Sequence, residues 1–220
     1  METSNYLQIK KRLPKNVHLV AVSKGFDSVL IEKIHDLGQI HFGESKFQEA
    51  YDKQILLKNK KNIKWHFIGK IQSNKIRKIV QNFDYIHSVD SIRYLMKISN
   101  AALDIGKTQK ILIQLKMTAD PTKGGMDPDV LLSEWHEIKK IKNIQIMGLM
   151  TINPKGLSSN ENSKLFTRCR KIADSLKLPD CSMGMSNDWN EAIQSGSTWL
   201  RLGSLIFGER LIKLEVNNKR

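Results

Sequence analysis

From residue 17 onward, short apolar runs rich in β-branched residues alternate with amphipathic stretches of about ten to fifteen residues. That rhythm predicts parallel strands joined by crossover helices. VHLVAVSK (17–24) predicts the first strand. Behind it, DSVLIEKIHDLG carries Val29, Ile31, Ile34 and Leu37 at near-helical spacing, with Asp27 as a cap and Gly38 as a stop. Further strands are predicted at IHFGES (40–45), KWHFIGK (64–70), YIHSVD (85–90) and KILIQLK (110–116). IQIMGLM (144–150), DCSMGM (180–185) and TWLRLG (198–203) follow. Helices are expected in QSNKIRKIVQNF, SIRYLMKISNAALDIG and DVLLSEWHEIKKI, and near 161–176 and 187–195.

Eight such units predict an α/β fold, a (β/α)8 TIM-type barrel, because closure removes the two exposed edges an open sheet would keep. An open flavodoxin-like or Rossmann sheet is the alternative. It wants G-x-G-x-x-G after the first strand, where this chain reads SKGFDS. No Pro/Ser-rich linker divides the sequence, and TINPKGLSSNEN (151–162) is too short to join domains, so residues 1–220 are read as one domain.

Composition narrows the class. At 40% hydrophobic and 26% charged residues the chain is that of an ordinary globular protein. No apolar run reaches the roughly 18 residues that span a bilayer, and METSNYLQIKKRLPK has no secretory h-region, so a cytoplasmic location off the membrane is expected. Cys169 and Cys181 lack metal-ligand spacing and fit a reducing compartment. The charge of +14 attracts phosphates or nucleic acid, but its lysines are spread over KKRLPK, LKNKKNIK, NKIRK and HEIKKIK without interleaved aromatics. A nucleic-acid partner is therefore not expected.

In a parallel barrel, chemistry gathers where strands end. Lys24 follows LVAV, so its stem should lie against the interior; burial lowers an amine's pKa and readies it to attack an aldehyde. Met183 to Asp188 runs from a strand into a helix, where small residues leave N–H groups for an anion; Ser186 serves there as a donor or only as an N-cap. Arg201-Leu202-Gly203-Ser204 adds a second glycine turn after the last strand, and phosphate sites in barrels recur at these two loops. Arg201 either faces a pyridine nitrogen, keeping it unprotonated, or forms a structural ion pair. His66 faces either the lumen or the helices, with a structural role expected. Lys123-Gly124-Gly125 reads as a cover or a tight turn.

With LVAVSK, HFGESKFQE, KWHFIGKIQSNK, IHSVDS, ILIQLK, KGG, GLM, SMGMSNDWNEAI and RLGSLIFGER in order along nearly the whole chain, the sequence resembles the pyridoxal phosphate homeostasis proteins. These are single-domain relatives of the alanine racemase N-terminal barrel, the type III fold of pyridoxal phosphate (PLP) proteins. The resemblance implies PLP as cofactor, held as a Schiff base on Lys24. It implies a phosphate site at Ser186, Gly203 and Ser204 with help from Ser182, and Arg201 near the ring nitrogen. A monomer is expected that buffers the cofactor or delivers it to PLP-dependent apo-enzymes; a racemase-type enzyme is the alternative. Ser45 stands where the family usually has asparagine, which shortens or removes a cofactor contact; Lys70 replaces a histidine, and Gly25-Phe26 replaces Thr-Lys. The segment before the first strand is short for the family, which predicts the loss of one packing helix.

Overall fold

The computed structural model describes residues 2–119 and 124–209. Eight strands close in sequence order into one barrel: β1 (His18–Val22), β2 (His41–Glu44), β3 (Lys64–Phe67), β4 (Tyr85–Val89), β5 (Gln109–Leu115), β6 (Ile144–Thr151), β7 (Asp180–Ser182) and β8 (Trp199–Leu202). All pairings are parallel, and β1 lies directly on β8, with Leu19 opposite Leu200, Val20 opposite Arg201 and Ala21 opposite Leu202. The open-sheet alternative is thereby excluded.

Helices α1 (Glu2–Arg12), α2 (Ser28–Asp36), α3 (Phe47–Leu56), α4 (Ile76–Asn82), α5 (Ile92–Asp104), α6 (Pro128–Ile138), α7 (Ser159–Ser175), α8 (Trp189–Gln194) and α9 (Ser204–Phe207) form the outer shell. Contrary to the expected loss, the N-terminal segment does make a packing helix: in α1, Tyr6 and Ile9 are buried, and the Tyr6 hydroxyl reaches Gln39. In α2 the Asp27 carboxylate accepts from the Leu30 N–H at 2.9 Å, the cap its position predicts. Only Ile31 and Ile34 of its apolar set are buried; Val29 and Leu37 face solvent, because a nine-residue helix leaning on a barrel buries one narrow stripe.

Alternation along β1 separates two interiors. Leu19 and Ala21 join the core beneath the helices, whereas Val20, Val22 and, by the same period of two, Lys24 belong to the opposite face. Strand β7 is shorter than predicted. After Ser182 the chain turns at Gly184, whose φ of +91° suits glycine alone, and a Cβ there would stand 2.5 Å from the Ala192 Cβ. Lys123 lies outside the described residues; just past it, Met126 returns alongside β5 through bonds with Gln114 and Lys116. Among the described residues no helix is long and apolar enough to cross a membrane.

Candidate functional site

At the C-terminal ends of β1 and β8 the barrel opens into a cavity of about 460 Å³. Lys24, Ser186, Arg201, Gly203 and Ser204 line it, so five of the seven residues singled out from the sequence converge on one space. Val22, Phe26, Ile68, Ile152 and Met185 supply an apolar wall. Phe26 stacks on Phe207 with ring centroids 4.9 Å apart, so the Phe26 departure from the family pattern sits in the wall itself. Lys70, by contrast, is exposed and contributes nothing to the lining.

The Ser186 and Ser204 hydroxyls are 3.0 Å apart, although they come from loops 18 residues apart in sequence. Ser186 does not cap α8; Asp188 occupies that position, and its carboxylate accepts instead from the Met185 N–H at 2.6 Å, bracing the loop. Two hydroxyls at hydrogen-bonding distance, next to the start of α9 where backbone N–H groups lack helical acceptors, form a donor cluster suited to an anion.

Arg201 is 4% exposed and pairs with no carboxylate among the described residues. Its guanidinium donates to the Ser182 carbonyl and hydroxyl, each at 2.7 Å, and to the Thr151 carbonyl at 2.9 Å. Burial lowers its pKa to about 10, with Asp188 opposing, so it stays a cation at neutral pH. Ser182 is fully buried and outside the cavity lining; its hydroxyl is engaged by Arg201 and His87. It supports the arginine, and the phosphate contact inferred for it has no geometric basis here. Ser45 also lies outside the lining, half-buried just after β2.

Two features escaped the sequence reading. The first clamps the backbone on both sides of Lys24. The Lys53 ammonium on α3 donates to the Ser23 carbonyl at 2.8 Å and to Glu44 and Glu49 at 2.7 Å each. The Ser23 hydroxyl donates to Glu44 at 2.7 Å, and the Gly25 N–H donates to Glu49. Burial pushes the Glu44 carboxyl up, against the pull of Lys53 and Ser23. Burial acts on Glu49 too, but the bonds from Lys53 and the Gly25 N–H outweigh it and hold that carboxyl low. FGES and FQEAYDK sit close in sequence, yet only the i,i+4 pair Glu49–Lys53 was legible as a contact.

The second is a file of histidines. His66 faces the lumen, fully buried, and bonds His41 at 2.9 Å and His87 at 2.8 Å; His87 continues to Ser182 at 2.9 Å. One histidine in each of three consecutive predicted strands was the available signal. A second cavity of about 400 Å³, between α5 and α6, is lined by Met96, Glu134 and Lys140 among others and contains no strand-end group.

Comparison with known proteins adds to this geometry. Residues 3–211 match the family described as alanine racemase, N-terminal domain. A pyridoxal phosphate homeostasis protein of Synechocystis sp. is 42% identical, over 94% of this chain and 98% of that protein. One of Pseudomonas aeruginosa is 34% identical over 92% and 89%. The structure of PipY from Synechococcus elongatus with PLP bound superposes with a TM-score of 0.91 at 38% identity, covering 94% of this chain and 100% of that one. Alanine racemase from Clostridium difficile shares the fold, with a TM-score of 0.77 at 17% identity and 56% of its length covered.

Proposed function

Because the chain belongs to the alanine racemase N-terminal domain family and, within it, to the pyridoxal phosphate homeostasis proteins, we propose that it binds PLP in the β1/β8 cavity and serves to buffer that cofactor. PLP offers an aldehyde that condenses with an amine and a phosphate that accepts hydrogen bonds. The observation that carries the reading is the convergence of one lysine and a two-hydroxyl donor cluster, from opposite ends of the chain, on a single cavity. Lys24 takes the aldehyde and is the covalent anchor. Ser186, Ser204 and the Gly203 turn hold the phosphate. Arg201, cationic and pinned by three hydrogen bonds, faces the ring and keeps its nitrogen free of a proton, which weakens the ring as an electron sink.

The apolar wall made by Val22, Ile68, Ile152 and Met185 suits the flat face of a pyridine, and the Glu209 carboxylate also lines the cavity. Likeness to the pyridoxal phosphate homeostasis proteins, 42% identical in one case, supports holding the cofactor and releasing it to PLP-dependent apo-enzymes over turnover. Cys169 and Cys181, buried and unbridged, support a cytoplasmic location. The test is an absorbance titration of purified protein with PLP. A visible band from lysine-bound cofactor is expected, saturating at one equivalent and absent in Lys24→Ala; a band that survives in Lys24→Ala refutes the assignment.

A further inference from the structure

The histidine file has a direction, and Arg201 sets it. Four hydrogen bonds join Arg201 to Ser182 at 2.7 Å, Ser182 to His87 at 2.9 Å, His87 to His66 at 2.8 Å and His66 to His41 at 2.9 Å. A guanidinium only donates. The Ser182 oxygen therefore accepts from Arg201, and its own proton has one remaining partner, the Nδ1 of His87. If His87 carried its proton on Nδ1, the serine proton would be stranded in a fully buried site, which is unfavourable. So Nδ1 of His87 accepts and its proton sits on Nε2, aimed at Nδ1 of His66. By the same logic His66 is protonated on Nε2, aimed at Nδ1 of His41.

The setting keeps the file neutral. Burial lowers His66 and His87 well below the usual histidine value, assisted in His66 by His87 and in His87 by Arg201. At the rim, burial, then His18, lower His41 to about 4; Lys10 and Lys64 act the same way and Asp84 opposes them. Tyr85 stacks flat on His66 at 4.3 Å beneath Lys110, and the Trp199 ring packs on His41, His66 and His87, so water has little room to substitute for a missing partner.

We propose that His87, acting through Ser182, is a positioning residue that locks the Arg201 guanidinium in place at the cofactor cavity, within a one-way hydrogen-bond file Arg201→Ser182→His87→His66→His41. The lock is reciprocal: the arginine sets three tautomers, and the file orients the hydroxyl that receives the arginine. Its effect on PLP rests on the cavity being the cofactor site; the proton arrangement does not.

Two measurements separate those parts. Long-range ¹H–¹⁵N spectra of the protein without added PLP read the tautomers directly. His66 and His87 are expected neutral, protonated on Nε2, and unchanged from pH 8 to pH 5; in Arg201→Gln, whose amide both donates and accepts, the His87 tautomers mix. Protonation on Nδ1 in the native protein, or an unchanged pattern in Arg201→Gln, overturns the file. The second measurement is PLP affinity. His87→Phe is expected to bind roughly tenfold more weakly, the factor corresponding to about 1.4 kcal/mol, as for loss of one neutral hydrogen bond in a buried network. His87→Asn, whose carbonyl can stand in for Nδ1 as an acceptor, restores most of the affinity. Ser182→Ala, a small change, repeats the His87→Phe loss should that variant fail to fold. Native affinity in both His87→Phe and Ser182→Ala, or in Ser182→Ala alone where His87→Phe does not fold, overturns the positioning role. No PLP binding by the native protein overturns the cofactor reading and, with it, this role at the cofactor, but leaves the tautomer test in force.

Discussion

Replacing Lys53 by methionine removes a cation bonded to Glu44 at 2.7 Å, a carboxylate that is fully buried. One Glu44 oxygen has no hydrogen-bond partner among the described residues, so the charge rests on the other oxygen, held by Lys53 and the Ser23 hydroxyl. Breaking a buried pair from one side costs about 3–5 kcal/mol, because the surviving charge stays desolvated. For a chain of this size that lowers Tm by roughly 6–20 °C. Glu49 adds little to the penalty, being partly exposed and open to water.

The sign of the pH dependence follows from Glu44. Its folded pKa is raised, so folding favours the protonated form. The stability this group contributes is present in full below the unfolded value of about 4.3 and is lost as pH rises through the folded value. Without Lys53 the folded value climbs further, and the variant loses more on going from acid to neutral pH than the native protein does. Guanidinium unfolding followed by tryptophan fluorescence is expected to show a deficit of about 3–5 kcal/mol at pH 7.5 and less than about half of that near pH 4.5, with m unchanged. The pair Glu44→Gln with Lys53→Met, which leaves no buried charge at position 44, recovers at least half of the neutral-pH loss. A deficit equal at both pH values, or a double variant as unstable as the single, refutes the electrostatic account and leaves only packing.

Ser186→Ala combined with Ser204→Ala removes two donors to the phosphate, each worth about 1.5–3 kcal/mol, and should weaken PLP retention by at least about a hundredfold on dialysis while Lys24 still reacts with added cofactor. Gly184→Ala forces a side chain into a left-handed turn and against Ala192 and Leu200, so thermal denaturation should report a loss of at least about 2 kcal/mol.

The strand order was legible because each apolar run carries its own turn and helix signals, and closure followed from avoiding open edges; the β1–β8 pairing then brought Lys24 to Ser186 and Ser204. Ser182 was misassigned because a strand-end serine reads alike whether its hydroxyl points to a ligand or, as here, into a packed lumen. The N-terminal helix was not expected because the segment before the first strand is short for the family, yet Tyr6 and Ile9 are enough to anchor it on the barrel. The histidine file depends on side-chain direction across separate strands, which period-two patterning leaves open until register is known, and the Lys53 clamp depends on how α3 packs against the ends of β1 and β2.

The central claim, one cofactor gripped through Lys24, is tested most directly by reducing the PLP-loaded protein with borohydride and mapping its peptides by mass spectrometry. A single stable phosphopyridoxyl addition on Lys24 is expected. Modification at another lysine, or no covalent addition to protein that retains PLP, would contradict it.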